Sequence, residues 1–123
     1  LGWRNDRGAL LAACDVVAFP SRYEPFGTVT VDAWAASRPL VAADAVGPAA
    51  YVKNEVNGLL IPKNDVDALA TALGRVISDK ALAAKLVAGG RESYEQQFTK
   101  AAFQRDSLAF YEKIIAHAGP FGG

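Results

Sequence analysis

The chain has 123 residues, 51% of them hydrophobic, with 13 basic and 13 acidic side chains and a formal net charge of zero. This size and composition are typical of one globular domain or part of one. The balanced charge argues against nucleic acid or an anionic membrane as the main partner, because both are recognised through a strong positive field. A lone cysteine, Cys14, forms no internal disulfide, is typical of a reducing cytoplasm, and is predicted to be a small buried hydrophobe on a helix.

Short apolar strands alternate with helical segments in the first half of the chain. Asp6 is placed to cap a first helix, whose apolar stripe consists of Leu10, Leu11 and Cys14. Three apolar runs predict buried strands: residues 16–19, 40–43 and 59–61. Between the strands, helical structure is predicted at residues 27–36 and 49–53. This alternation predicts an α/β fold with a parallel, Rossmann-like sheet and crossover helices.

Longer helices are predicted after the third strand. Asn64 or Asp65 is placed to cap the first of them, whose apolar face consists of Val66, Leu69, Ala70, Leu73 and Ile77. A C-terminal helical hairpin then closes the chain. Its first arm is residues 81–98, with a bend or break at Gly89-Gly90. Thr99 is placed to cap its second arm. In this arm apolar residues recur at helical spacing, namely Phe103, Phe110, Tyr111, Ile114 and Ile115.

Two acidic residues flank the start of the helix predicted at 27–36. Glu24 stands immediately before a Pro-Phe-Gly turn, and Asp32 follows Glu24 with seven residues between them. The stretch from Phe26 to Thr28 opens the helix, where unpaired backbone N–H groups offer a seat for a phosphate. One carboxylate beside that seat and another about a turn along the helix suit a ligand with phosphate and hydroxyl groups. A nucleotide-sugar is such a ligand.

This segment resembles the signature of retaining glycosyltransferases of the GT-B fold, the family 4 (group 1) type. The family reads Glu-Pro-Phe-Gly, then a second Glu after seven residues, then Ala-x-Ala-x-Gly-x-Pro-Val. The matching residues here are Glu24-Pro25-Phe26-Gly27, Asp32, Ala33, Ala35, Ser37 and Pro39-Leu40-Val41. The similarity continues on both sides, with Leu1-Gly2-Trp3 before this core and Asn57-Gly58-Leu59-Leu60-Ile61-Pro62 after it.

The resemblance implies a role for each residue of the motif. Glu24 is implied to be the catalytic carboxylate that contacts the donor sugar. Asp32 is implied to bind ribose hydroxyls, although an interaction with the helix dipole alone also explains an acid there. The donor-binding residues implied by the resemblance also include Pro25, Phe26, Gly27 and Thr28. The backbone N–H groups of Phe26, Gly27 and Thr28 are implied to bind the donor phosphates. Trp3 and Arg4 are implied to lie near the nucleotide base, whereas Trp34 is expected in the core.

Three positions depart from the family pattern. Asp32 is one methylene shorter than the usual Glu, which shortens its reach without changing its chemistry. Ser37 stands where the family has Gly. The family's Gly-Gly-x-x-Glu loop reads Val46-Gly47-Pro48-Ala49-Ala50, so no carboxylate stands at Ala50.

The resemblance also implies how the chain is organised and what it binds. Residues 1–123 are expected to be the second half of the C-terminal donor-binding domain, without the first half of that domain and without the N-terminal domain that binds most of the acceptor. The expected partners are a nucleotide-sugar donor and a carbohydrate or glycolipid acceptor, as in polysaccharide or lipopolysaccharide biosynthesis, with no nucleic acid. No cofactor or metal is expected, because Asp65-Val66-Asp67 opens a helix and is explained by capping.

Two further expectations concern location and assembly. The expected location is the cytoplasm. The full-length protein is also compatible with peripheral binding at the inner face of the membrane. In a sheet of order 3-2-1-4-5-6 this chain would supply the last three strands. The strand at residues 16–19 would then have one unpaired edge, through which the isolated chain would self-associate.

Two alternatives to catalysis are compatible with the residues. One is a nucleotide-binding α/β module that has kept the fold and lost the chemistry. The other is a protein-interaction α/β module that binds a partner through an exposed sheet edge and the helical hairpin. An intact Glu24-Pro25-Phe26-Gly27 sequence favours the enzyme.

Overall fold

The computed structural model describes residues 2–118, which form six helices and three strands. The elements in chain order are α1 (Arg7–Ala13), β1 (Val17–Phe19), α2 (Thr28–Ala35), β2 (Leu40–Ala43), α3 (Val46–Tyr51), β3 (Leu59–Ile61), α4 (Val66–Ser78), α5 (Lys80–Gln97) and α6 (Lys100–Ala118). All elements predicted from the sequence are present. No described helix is both long enough and apolar enough to cross a membrane.

The three strands form one parallel sheet in the order β1-β2-β3. Val17 pairs with Leu40 at the first ladder, and Val41 pairs with Leu59 at the second. Every residue of the central strand β2 is buried, as expected of a strand covered by helices on both faces. The predicted α/β fold with a parallel sheet is therefore confirmed.

Alternate residues of β2 belong to separate hydrophobic clusters on the two faces of the sheet. Val41 and Ala43 lie in the cluster formed with β3, α4 and α5, whose other buried members are Leu59, Ile61, Ala72, Val76 and Leu86. Leu40 and Ala42 lie in the cluster on the opposite face, with Val17, Ala33, Trp34 and Val52. The second cluster anchors α2 and thereby fixes the loop that precedes it.

Trp34 is the largest fully buried side chain, with 1% of its surface exposed. Its indole Nε1 donates a hydrogen bond to the carbonyl oxygen of Asn57 at 2.8 Å. The buried Asn57 side chain accepts from the Lys53 N–H at 2.7 Å and donates to the Tyr51 carbonyl at 3.2 Å and the Ser93 hydroxyl at 2.9 Å. The expectation that Trp34 packs in the core is confirmed.

The bend or break predicted at Gly89-Gly90 is wrong, because α5 runs without interruption from Lys80 to Gln97. A Cβ atom at Gly89 would lie 2.2 Å from the carbonyl oxygen of Val56. A Cβ atom at Gly90 would lie 2.4 Å from Cδ1 of Trp34. The two glycines therefore let α5 pack closely against the loop before β3 and against the indole ring.

The helix ends agree in part with the capping predictions. Asp65 accepts from the Ala68 N–H at 2.8 Å, and Thr99 accepts from the Ala102 N–H at 3.1 Å, as expected of N-caps. Asp6 occupies the N-cap of α1 without a capping hydrogen bond, because Arg4 binds its carboxylate instead. Cys14 lies half-buried just after α1, with its thiol 3.2 Å from the Leu11 carbonyl oxygen.

Three boundaries or faces differ from the sequence predictions. The short helix predicted at 49–53 is α3, which begins three residues earlier at Val46. In α4 the predicted face includes three exposed residues, Val66, Ala70 and Ile77, because the buried side consists of Ala72 and Val76. Among residues 100–117 of α6, whose burial the structure describes, only Ala102 is buried. The large apolar residues are exposed, including Phe103, Leu108, Phe110, Tyr111, Ile114 and Ile115. Helical spacing therefore identified this helix but not what covers it.

Gly90→Ala is expected to lower the free energy of unfolding by about 1–3 kcal/mol, because the added methyl group clashes with Trp34. This loss exceeds the gain of up to about 1 kcal/mol from replacing a helical glycine by alanine. Gly74→Ala is the matched control, because a Cβ at Gly74 in α4 meets nothing within 4 Å and should stabilise. Urea denaturation measures both changes, and equal stabilisation by both substitutions would contradict the packing role of Gly90.

Candidate functional site

The acidic motif lies at the carboxyl end of the parallel sheet. Strand β1 ends at Phe19, and the loop at residues 20–27 leads into α2. The carboxyl ends of parallel strands are where ligands bind in open α/β sheets. The motif is therefore in the part of the fold where a binding cleft is expected.

Glu24 folds back over the amino end of α2. Its carboxylate Oε1 accepts hydrogen bonds from the N–H of Gly27 at 2.9 Å and from that of Phe26 at 3.3 Å. The prediction that these two N–H groups are unpaired is wrong in this structure. The reason is local, since the turn places a carboxylate within reach of the positive end of the helix dipole.

A second loop holds the backbone of Glu24. The N–H of Gly47, at the start of α3, donates to the Glu24 carbonyl oxygen at 2.7 Å. A Cβ atom at Gly47 would lie 2.4 Å from the carbonyl carbon and oxygen of Phe26. Only glycine therefore fits this contact. Gly47 is the glycine that this chain retains from the family's Gly-Gly-x-x-Glu loop, so the sequence pattern indicated this contact. Ala50, which stands where that loop has its glutamate, is exposed on α3.

Gly27 is the N-cap of α2 and has a φ of 84°, in the left-handed region that favours glycine. A Cβ atom there would lie 3.2 Å from Cδ of Pro48. Helix α2 begins one residue later than predicted, at Thr28, whose side chain is exposed. The left-handed turn at Gly27 is what lets the chain pass from the loop into the helix.

Phe26 contributes its side chain as well as its backbone. The residue is 43% exposed, and its ring packs edge-to-face against Tyr51, with ring centroids 5.3 Å apart. Phe98 contacts both rings, at 6.4 Å from Phe26 and 5.3 Å from Tyr51, and lies 6.0 Å from Trp34. This aromatic cluster connects the loop to the core. The sequence reasoning did not assign Tyr51 or Phe98 to the site, because they are distant in sequence.

Asp32 lies in the second turn of α2 and faces α1. Its side chain is 25% exposed, and Oδ2 lies 3.4 Å from Nε of Arg7. Oδ2 is buried and accepts no hydrogen bond from the residues that the structure describes. Arg7 was not among the residues assigned to the site from the sequence. An arginine in a predicted first turn gave no signal that it meets Asp32.

Trp3 and Arg4 line an open cleft of about 470 Å³, together with Asn5, Arg7 and Gly8. Trp3 is 93% exposed. Arg4 binds Asp6 through two hydrogen bonds, which lower the pKa of the Asp6 carboxyl and raise the pKa of the guanidinium. The cleft reaches the acidic motif through Arg7, which lines the cleft and pairs with Asp32.

Pro25 is exposed in the loop that carries Glu24.

Ser37, at the position where the family has glycine, has a φ of 54°. This left-handed conformation gives a physical reason for glycine at that position. Within residues 2–118, no group of three or more His, Cys, Asp or Glu side chains is arranged to hold a metal ion.

A family comparison matches residues 1–93 to the model described as "Glycosyl transferases group 1". The lipopolysaccharide core biosynthesis glycosyltransferase LpsE of Rhizobium meliloti is 33% identical over 101 residues, which are 82% of this chain and 30% of that protein. The D-inositol 3-phosphate glycosyltransferase of Saccharomonospora viridis is 44% identical over 104 residues, which are 85% of this chain and 24% of that protein.

Solved structures give the same result. The crystal structure of Anabaena Alr3699/HepE in complex with UDP matches with a TM-score of 0.84 and 32% identity, over 92% of this chain and 31% of that one. The chain thus spans about a third or less of the length of each of these three proteins. The matching family model covers most of the chain, and the acidic motif lies inside the matched residues. The chain therefore belongs to the group 1 glycosyl transferases, retaining enzymes of the GT-B fold, and corresponds to part of their C-terminal domain.

Proposed function

We propose that the complete protein transfers a sugar from a nucleoside diphosphate to an acceptor hydroxyl with retention at the anomeric carbon. This chain supplies part of the donor site. The observation that supports the proposal most directly is the Glu24 carboxylate at the amino end of α2, held by the N–H groups of Phe26 and Gly27. The fixed carboxylate can accept hydrogen bonds from sugar hydroxyls, and the N–H groups of the first turn of α2 that it leaves unbound can receive a phosphate.

Glu24 is the residue proposed to contact the donor sugar. Its Oε1 is engaged by the backbone, whereas Oε2 makes no hydrogen bond with the described residues. Oε2 is thus available to accept hydrogen bonds from sugar hydroxyls. The Gly47 contact and the aromatic packing of Phe26 keep the loop in place for this task.

The donor phosphates are proposed to bind at the start of α2 through the backbone N–H groups that Glu24 does not occupy, beginning with that of Thr28. Positive charge at this end of the helix stabilises the leaving diphosphate, in the general manner of electrostatic catalysis. The family resemblance implies a same-face route, in which the departing phosphate helps to take the proton of the acceptor hydroxyl. Basic residues outside this chain are expected to supply further positive charge.

Asp32 is proposed to accept hydrogen bonds from the ribose hydroxyls of the donor. Trp3 and Arg4 are proposed to lie near the nucleotide base, because they line the cleft that leads to Asp32 through Arg7. UDP is a reasonable first nucleotide to test, because the similar Anabaena protein was solved in complex with UDP.

The whole protein is proposed to have two domains, of which this chain forms half of the C-terminal one. The short share of each relative that the chain covers supports this division. The acceptor would bind mainly to the other domain. The similarity to a lipopolysaccharide core glycosyltransferase makes a cell-envelope glycan or glycolipid the proposed acceptor class, with transfer at the cytoplasmic side.

Glu24→Gln in the complete enzyme is expected to lower sugar transfer about tenfold to a hundredfold, because it weakens charge-assisted hydrogen bonds to the sugar. Nucleoside diphosphate affinity should change little. The glutamine amide oxygen can still accept from Gly27, so the loop should keep its shape. Steady-state transfer and nucleotide titration measure the two effects, with the exposed Glu112→Gln in α6 as control. An equal loss of diphosphate affinity would refute the sugar assignment, and unchanged transfer would show that Glu24 is not catalytic. A wild-type protein that binds the nucleotide but transfers no sugar would favour a non-catalytic module.

Three changes at Asp32 test its role in ribose binding. Asp32→Ala should weaken nucleoside diphosphate binding about tenfold, because it removes a charged acceptor. Asp32→Glu should preserve or improve the affinity, since the longer side chain restores the family's reach. Asp32→Asn should fall between them. Isothermal titration of each variant provides the affinities, and an unchanged affinity for Asp32→Ala would favour a helix-dipole role.

The 123-residue chain by itself is expected to self-associate and to show no transferase activity. Within residues 2–118, β1 pairs on one side only, and its Ala18 is exposed. Unpaired strand edges pair with other chains. Analytical ultracentrifugation over a range of concentrations tests the first part, and a donor-hydrolysis and transfer assay tests the second. A monomer that transfers sugar would contradict the proposed division of the protein.

A further inference from the structure

Arg7 and Asp32 form an ion pair that the motif does not account for. Asp32 Oδ2 is buried and lacks a hydrogen bond within the described residues, and the nearest ionic partner is Nε of Arg7 at 3.4 Å. This distance is longer than an ordinary N–H···O hydrogen bond. The pair is thus an electrostatic contact at a distance that is longer than a hydrogen bond.

The backbone that carries Arg7 is anchored. Arg7 begins α1, and α1 lies against α2 through the half-buried Leu11, which packs on the core cluster that contains Trp34. The guanidinium of Arg38, just after α2, donates to the carbonyl oxygen of Ala12 in α1. These contacts hold the last turn of α1 against the α2 side of the fold. The helix then carries Arg7, about one turn before Leu11, to the side of Asp32.

The two arginines of the Trp3 cleft differ in what they bind. Arg4 is bound through two nitrogens to Asp6, two residues later in the sequence. Arg7 is 71% exposed and directs only Nε toward a carboxylate, while its two η nitrogens donate to no described residue. A guanidinium has five N–H donors in a planar fork, so Arg7 can bind Asp32 and a ligand together.

We propose that Arg7 is a positioning residue for Asp32 and that the pair recognises the ribose hydroxyls of the nucleotide. Nε of Arg7 holds Oδ2, which turns Oδ1 to accept hydrogen bonds from the ribose. The η N–H groups donate to the oxygens of the same hydroxyls. The pair thereby offsets the missing methylene of Asp32, since the ribose is held by two side chains instead of one longer carboxylate. This inference rests on the proposed function, because it assigns a task within the same donor site.

The test compares UDP with 2′,3′-dideoxy-UDP, which lacks both ribose hydroxyls, in the complete protein. The wild type should bind UDP more tightly than the dideoxy analogue. Arg7→Ala should weaken UDP binding about fivefold to twentyfold, a range reduced for the exposure of the guanidinium. It should weaken binding of the dideoxy analogue by less than about twofold. The ratio of the two dissociation constants is the readout that a merely structural role would not change.

Three further variants complete the design. Arg7→Lys keeps the charge but lacks the planar fork, so it should recover only part of the discrimination. Arg7→Ala combined with Asp32→Ala should lose less affinity than the two single losses together, because each residue acts through the other. Arg75→Ala is the matched control: it breaks another exposed arginine–carboxylate pair, with Glu55, outside the cleft. It should leave both affinities unchanged.

Each other outcome counts against the proposal. Equal weakening of UDP and the dideoxy analogue by Arg7→Ala would show that Arg7 acts on the phosphates or on folding, and an unchanged affinity for UDP would show that it does not bind the donor. Thermal unfolding of the variants separates a folding defect from a binding defect. If the wild type binds UDP but does not distinguish the analogue, the ribose role of Asp32 fails as well. If it binds none of UDP, GDP and ADP, the proposed function itself is wrong.

Discussion

The hydrogen bond from Trp34 to the carbonyl of Asn57 is the interaction on which the arrangement of the helices depends. It joins the last turn of α2 to the loop before β3, and the Asn57 side chain extends the network to α3 and α5. A buried amide with both ends satisfied is worth more than its single bonds suggest, because losing any partner leaves a polar group unpaired in the core. The network therefore fixes the positions of three helices relative to the sheet.

Helix α5 packs closely against this network through two glycines. Gly90 touches the indole ring of Trp34, and Gly89 touches the backbone next to Asn57, so α5 can approach only where side chains are absent. The same principle operates at the edge of the site, where Gly47 meets the backbone of Phe26. Phe98, at the end of α5, then links Trp34 to the ring of Phe26. A continuous set of contacts thus connects the core to the loop that carries Glu24.

The two acidic residues of the motif are held in different ways. The Glu24 carboxylate is oriented by backbone N–H groups of its own turn, while its backbone is held by the N–H of Gly47 at the start of α3. Asp32 is oriented by an arginine of another helix, so its position depends on how α1 and α2 pack. A local contact tolerates changes elsewhere in the fold, whereas a contact between helices responds to them. The motif therefore combines a carboxylate whose side chain is oriented by sequence-local hydrogen bonds with one whose side chain is oriented by tertiary packing.

The sequence by itself determined the strands, the order of the elements and the residues of the acidic motif. Strands β2 and β3 agree with the prediction at both ends, because short apolar runs bounded by turn residues have few alternatives. Capping by Asp65 and Thr99 was predictable because it is local chemistry. The tertiary structure decided what depends on residues far apart in the chain. Gly89-Gly90 allows helix packing instead of a bend, Arg7 meets Asp32, and the apolar residues of α6 remain exposed. Periodicity shows which residues share a helix face, but only packing in three dimensions determines which group lies opposite them.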